Sequence, residues 1–214
     1  MTSAQEFLPD HADLDRLRAA AAGCQGCGLY RDATQTVFGR GAADARVVLV
    51  GEQPGDVEDQ RGLPFVGPAG HLLRRAVGDA GLEPGQLYIT NAVKHFKYRM
   101  AGQRRIHQKP DPTEIRACRP WLVAEFAQLR PAAVVVLGAT AASALLGPDF
   151  RVTRSRGMVL PWPDSARPPG EFPDHDGAFL VATIHPSAVL RAGNREVAYA
   201  GLVDDLKVVT HHLR

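Results

Sequence analysis

The chain has 214 residues, 45% of them hydrophobic, a formal net charge of +2 at pH 7 and three cysteines. That length suits a single sizeable α/β core, while no apolar run approaches the roughly 18 residues of a membrane-spanning helix and three cysteines exclude a complete disulfide framework. So small a charge also excludes attraction to nucleic acid through a global field, and any affinity for DNA has to come from local basic clusters.

The N-terminal stretch from Met1 to Phe7 has neither a basic n-region nor an apolar h-region, so a cytosolic protein is expected. Asp10 is placed to cap a helix running through about Ala22, with Leu14, Leu17 and Ala21 on one face. Arg46 to Val50 reads as a buried strand. A loop from Gly51 to Gly67 follows, then a helix from Pro68 to Ala80 that stops at Gly81. Leu87 to Thr90 is a second strand, and residues 91–110 form a loop of a length that compact domains usually keep for function. Asp111, Pro112 and Glu114 have capping-box spacing and start a helix to about Leu129, before Pro131. Ala132 to Leu137 is a third strand, and the helix after it runs through Leu146 and ends at Gly147. Gly157 to Leu160 reads as an edge strand and residues 161–177, rich in Pro, Asp and Gly, as a surface excursion. Phe179 to Ile184 is the fourth core strand, and Asn194 caps a last helix reaching about His212. Continuous Val, Leu and Ile strands alternating with helices predict a parallel sheet covered on both faces. The expected architecture is one three-layer α/β/α domain over residues 1–214, its four-stranded parallel sheet in the order 2-1-3-4.

Four stretches at or near the ends of these strands carry chemistry. They are Gly51-Glu52-Gln53-Pro54-Gly55-Asp56, Asn91, the basic run Arg104-Arg105-Ile106-His107 in the long loop that also holds Lys97, Gly102 and Lys109, and His185-Pro186-Ser187. A parallel α/β sheet gathers its strand ends into one crevice, which would make a single site of them. Separately, Cys24-Gln25-Gly26-Cys27 spaces two thiols so that both can reach one metal. Cys118 supplies a third thiol and His95 a fourth donor. The alternatives are a structural pair with Cys118 buried as a small hydrophobe and a redox pair, but the latter belongs at the start of a helix after a strand, whereas this one follows a helix. Ligand chemistry alone leaves zinc and an iron–sulfur cluster both open.

Taken together, these motifs resemble the uracil-DNA glycosylase superfamily over nearly the whole chain, from Cys24 to the last helix. Gly51 to Asp59, Leu63-Pro64-Phe65-Val66-Gly67-Pro68-Ala69-Gly70, Asn91-Ala92-Val93-Lys94 and His185-Pro186-Ser187 are similar to motifs of its iron–sulfur branch. The Arg104-Arg105-Ile106-His107 loop resembles the UdgX type, which cross-links itself to DNA. His95 stands where the four-cysteine glycosylases have a cysteine.

The resemblance implies a [4Fe-4S] cluster, of structural role, on Cys24, Cys27, His95 and Cys118. It implies a uracil pocket in which Phe65 stacks on the base, Asn91 reads its polar edge, and Gln53 with the Gly55 and Asp56 backbone serves its other polar atoms. His185 is then the donor for the departing uracil anion, Glu52 the carboxylate that orients the nucleophile, and His107 the nucleophile that bonds to C1′ of the deoxyribose. Arg104, Arg105, Ser187 and Arg191 are expected on the DNA, the two loop arginines as phosphate contacts or as loop anchors, with Leu190 as an apolar wedge. The partner is uracil-containing DNA, single-stranded as well as double-stranded, bound by a monomer with no membrane association. The alternative within the family is a conventional glycosylase that releases uracil and turns over, with His107 a spectator.

Overall fold

The computed structural model describes residues 2–163, 173 and 175–213. Its strands are β1 (Arg40–Gly41), β2 (Val47–Gly51), β3 (Leu87–Asn91), β4 (Tyr98–Ala101), β5 (Arg104–His107), β6 (Ala133–Leu137), β7 (Val159–Pro161) and β8 (Phe179–Thr183). Its helices are α1 (Leu14–Ala21), α2 (Asp56–Arg61), α3 (Pro68–Asp79), α4 (Pro112–Leu129), α5 (Ala139–Leu146), α6 (Val152–Ser155), α7 (Pro186–Arg191) and α8 (Arg195–His212).

The main sheet runs β1-β3-β2-β6-β8-β7. Its four inner strands are mutually parallel, with Val48 opposite Tyr88 on one side and Val134 on the other, and Val134 opposite Leu180. This is the expected 2-1-3-4 order. Every residue of β2, β6 and β8 is buried, as strands covered on both faces require. Alternate residues serve opposite layers. Val47 and Leu49 pack with Leu73 and Val77 of α3 and Leu202 and Leu206 of α8. Val48 and Val50 pack with Leu122 and Phe126 of α4 and with Leu145 of α5. Beyond α4, Leu17 and Ala21 of α1 join Phe38, Trp121, Cys24 and Cys118 in a third cluster.

The sheet is mixed rather than purely parallel, because the short outer strands β1 and β7 are both antiparallel to their neighbours. The edge strand expected from Gly157 occupies Val159–Pro161 instead, since Gly157 takes a positive φ of 68° in the turn before it. Asp13, not Asp10, caps α1, its carboxylate accepting from the Arg16 amide at 2.8 Å. The capping box on α4 forms as expected: Asp111 accepts from the Thr113 and Glu114 amides, and Glu114 accepts from the Asp111 amide at 2.7 Å. Asn194 caps α8 through the Val197 amide. The loop expected from Gly51 to Gly67 contains α2, and the one over residues 91–110 contains the hairpin β4–β5, which stands apart from the main sheet. Of the excursion expected over residues 161–177, residues 164–172 and 174 lie outside the described residues. No helix among the described residues is long and apolar enough to cross a membrane.

Candidate active site

The last residues of β2 and β3, Gly51 and Asn91, face each other in register. A Cβ on Gly51 would lie 2.3 Å from Asn91 Oδ1 and 2.6 Å from Phe65 Cζ. Glycine at this point is therefore what lets the Phe65 ring and the Asn91 amide close over the end of β2. Phe65 itself sits at φ 54°, in the left-handed region that a bulky residue rarely adopts. Arg74 holds it there by donating to the Phe65 carbonyl at 2.8 Å, and Gly70 packs so tightly against that carbonyl that no side chain fits. Asn91 Oδ1 is buried without a partner among the described residues. An orphaned acceptor costs about 1–3 kcal/mol, so its presence here points to a ligand group that satisfies it.

His185 caps α7 at the end of β8, its ring centroid 5.9 Å from that of Phe65. The Ser187 amide donates to His185 Nδ1 at 3.1 Å, and Ser187 Oγ lies 2.8 Å from the same nitrogen. Nδ1 is thus an acceptor and the neutral ring carries its proton on Nε2. Burial holds the imidazole down to about 4, so it stays neutral well below physiological pH. Ser187, expected on the DNA, has its amide and hydroxyl against His185 Nδ1 and so orients that ring.

Glu52 follows β2 directly, and its Oε1 lies 3.2 Å from His107 Nε2. Burial pushes the Glu52 carboxyl upward, but hydrogen bonds from His107 and Thr140, with the His107 and His185 imidazoles nearby, outweigh it and leave the group below its ordinary value. Two side chains bring His107 to this point. Gln53 staples the legs of the hairpin: its Nε2 donates to the carbonyls of Lys97 at 3.2 Å and Gln108 at 3.0 Å, and its Oε1 accepts the Lys97 amide at 3.1 Å. Both amide hydrogens are committed, so only the Gln53 backbone is left for the base it was expected to read. Arg105 anchors the hairpin to α2 and the segment before it. It pairs with Asp56 and with the fully buried Asp59, 2.6 Å from Nη1, and donates to Thr34 Oγ1. Its guanidinium lies over the rings of Phe96 and Tyr98 at 5.6 and 5.1 Å.

Of the two readings of Arg105, phosphate contact or loop anchor, its side chain makes the anchor contacts, and Asp56, expected to meet the base through its backbone, turns its carboxylate to Arg105. Arg104 lies opposite Ala101, one residue out of phase with Arg105, and is exposed. Arg191 is exposed and Leu190 half-buried at the end of α7. Glu52, Phe65, Asn91, His107 and His185 thus meet at the strand ends as expected.

The uracil DNA glycosylase superfamily model matches residues 38–207, a stretch containing every one of these groups. The chain belongs to that superfamily. It is 35% identical to the type-4 uracil-DNA glycosylase of Thermotoga maritima over 85% of each chain. It is also 35% identical to the type-4 enzyme of Pyrobaculum aerophilum over 84% of this chain and 85% of the relative, and 34% identical to the type-5 enzyme of Thermus thermophilus over 71% and 68%.

Away from the strand ends, this superfamily member brings its three cysteines together behind α4. Cys24 and Cys118 are buried, Cys27 is half-buried, and all are free thiols. Trp121 Nε1 donates to Cys24 Sγ at 3.2 Å and the Lys94 amide to Cys118 Sγ at 3.2 Å. Burial raises Cys118 to about 12 and raises Cys27, and in both the neighbouring thiols add to the rise. His95 is buried, with Nε2 at 2.9 Å from Thr36 Oγ1. The Thr36 hydroxyl gives its own hydrogen to the Ala21 carbonyl, so His95 donates from Nε2 and keeps a lone pair only on Nδ1. Burial holds this ring down to about 4. Among the described residues no three His, Cys, Asp or Glu side chains come close enough to hold one metal ion.

Sequence reasoning missed Thr140, Arg74 and Asp59. Thr140 had a signal: Gly138-Ala139-Thr140 follows β6 as the other site residues follow their strands, and Gly138, at φ 88°, lies against His185. Asp59 closes the Gly51–Asp59 motif, but its pairing with Arg105, like the Arg74 contact, is tertiary and leaves no local pattern.

Proposed function

We propose that this chain excises uracil from DNA and captures the resulting deoxyribose on His107. The observation that carries the reading is the Glu52–His107 contact, which sets an imidazole beside the carboxylate at the mouth of the Phe65–Asn91 pocket. A uracil turned out of the stack would lie on the Phe65 ring, with Asn91 Oδ1 accepting its imide hydrogen and thereby gaining the partner it lacks. The C1′–N1 bond breaks with its electron pair leaving on uracil, and the His185 Nε2–H is the donor for that anion. The sugar is left electron-poor at C1′. A ring held through one nitrogen by Glu52 offers the lone pair of the other, which bonds to C1′; the imidazolium so formed is stabilised by the ionised Glu52 until its remaining proton passes to solvent. Arg104, Arg191 and Leu190, on the exposed rim, suit phosphate contact and a wedge into the vacated stack.

The cysteine donors fit a [4Fe-4S] cluster. Cys24, Cys27 and Cys118 share one cluster beside α4, and Cys24 and Cys118 Sγ already receive N–H hydrogen bonds of the kind that hold thiolate ligands of an iron–sulfur group. Cys24, Cys27 and Cys118 would hold it, and His95 would complete the set through Nδ1. Such a cluster would clip the segment after α1 to α4 and serve stability.

Mixing the protein with uracil-containing single-stranded DNA and running a denaturing gel tests the reading. A shifted band that needs uracil supports capture. Abasic DNA without a shift supports the turnover alternative, and untouched DNA overturns both.

A further inference from the structure

Lys94 is 1% exposed, yet its ammonium has three acceptors for its three hydrogens: Glu125 Oε2 at 2.6 Å, Thr90 Oγ1 at 2.7 Å and the Asn91 carbonyl at 2.8 Å. Glu125 is 0% exposed and accepts in turn from Tyr88 Oη at 2.9 Å, Thr90 Oγ1 at 3.0 Å and the Gly39 amide at 3.2 Å. The pair thus grips the C-terminal half of β3 at Tyr88, Thr90 and Asn91 from the α4 side. Stability does not account for this. Moving two charges out of water costs about as much as their attraction returns, and an apolar pair of the same volume usually serves a core equally well. What an apolar pair lacks is a hold on one particular carbonyl. Asn91 ends its strand and turns its amide, with the orphaned Oδ1, toward Phe65 and Gly51. The Ala92 and Val93 amides keep the chain on β2 at 2.9 and 3.0 Å, so what the Lys94 contact adds is the orientation of the Asn91 carbonyl and, with it, the aim of the amide.

We propose that Lys94 and Glu125 are positioning residues that set Asn91 for base recognition, an inference that rests on the reading of Asn91 as the uracil-contacting residue. Replacing the Lys94 side chain leaves its backbone amide, and so its contact with Cys118 Sγ, in place.

The test is the double variant Lys94→Met/Glu125→Gln, which removes both charges at nearly constant volume. Its single-turnover rate on uracil-DNA is compared with wild type, together with its affinity for uracil-free DNA of the same length. The expected result is a rate about 10–100-fold lower, the scale of a small misplacement of a reacting or reading group, with affinity for uracil-free DNA unchanged. A rate within about twofold of wild type overturns the proposal. An Asn91→Ala background separates positioning from mere support: there, removing the pair should cost no further rate, and a full additional loss overturns the proposal. If the double variant does not fold, Lys94→Arg takes its place in the same cycle, since its longer, planar head keeps the charge but cannot reach the same three acceptors. A wild-type protein inert toward uracil-DNA refutes the underlying function, an outcome distinct from any result on the variants.

Discussion

His107 Nε2 stands 3.2 Å from Glu52 Oε1, although the two residues belong to separate sheets: Glu52 follows β2, and His107 ends the hairpin that pairs only with itself. Their meeting depends on Gln53 and Arg105, which tie the hairpin to the end of β2 and to α2. The histidine's exposed position, with half its side chain open to solvent, is thereby given a defined geometry. Capture chemistry needs that combination: a nucleophile reachable by DNA and yet held on target before DNA arrives.

The two loop arginines should therefore behave differently. Arg105→Ala leaves Asp59 buried without its cation, costing about 1–3 kcal/mol of stability, and loosens His107, so adduct yield should fall at every salt concentration. Arg104→Ala should leave thermal unfolding unchanged and weaken DNA binding with a shallower salt dependence, the mark of a lost phosphate contact. Adduct formation against ionic strength, with Tm for each variant, checks both; a salt-sensitive Arg105 effect with normal Tm would reverse the assignment.

Cys118→Ala should lose iron and stability together, because Cys118 joins α4 to the Cys24–Cys27 segment and the end of β3. Iron and sulfide analysis with a melting curve reads both. Stoichiometric zinc without iron would replace the cluster with a zinc site. His95→Ala with full iron and unchanged stability would remove His95 from the ligand set, leaving Thr36 as the partner its ring serves.

The four inner strands and their order were legible because buried parallel strands write themselves as unbroken Val, Leu and Ile runs, as from Val47 to Val50 and Val134 to Leu137. The site's strand-end residues were legible for the same reason: once the strands are placed, Glu52, Asn91 and His185 follow. The hairpin was not. Tyr98-Arg99-Met100-Ala101 and Arg104-Arg105-Ile106-His107 alternate too weakly, and both strands are largely exposed, so their pairing is fixed by Gln53 and Arg105 rather than by apolar burial. The basic run accordingly read as phosphate contacts or loop anchors without a way to assign each arginine, and only the tertiary pairing with Asp56 and Asp59 shows Arg105 to be an internal anchor.

Stability should depend on pH below neutrality through His185. Its folded value of about 4 lies under the ordinary 6.5. Between those limits the unfolded chain takes up a proton that the fold refuses, so stability falls as pH drops through the window, by up to about 1.4 kcal/mol per pH unit for one group. Melting temperatures at pH 7.5, 6 and 5 should decline for the wild type and decline less for His185→Gln. A variant with the wild-type slope would assign the titration elsewhere. Reaction with uracil-DNA should not need His185 protonated at any pH above 5, since the neutral ring already carries its donor hydrogen on Nε2.

The decisive substitution is His107→Ser. It removes the imidazole while leaving Glu52, whose carboxyl is ionised at neutral pH and retains its hydrogen bond from Thr140. The vacated volume lies at the exposed end of the hairpin, open to solvent, so a water can stand beside Glu52 where the ring stood. The variant should form no adduct, yet release uracil and leave an abasic site. Folding should be untouched, because His107 is exposed and the hairpin's anchors, Gln53 and Arg105, remain. In the wild type, peptide mass mapping of the adduct should find the deoxyribose on His107. Glu52→Gln separates the two roles of the carboxylate: it keeps a hydrogen-bonding side chain but no longer compensates the charge of the imidazolium formed on capture, so capture should slow by about 100-fold or more with Tm unchanged. An adduct mapped to another residue, or a His107→Ser protein that still cross-links, would end the capture mechanism. A His107→Ser protein that neither cross-links nor excises would show that the imidazole is needed before the glycosidic bond breaks.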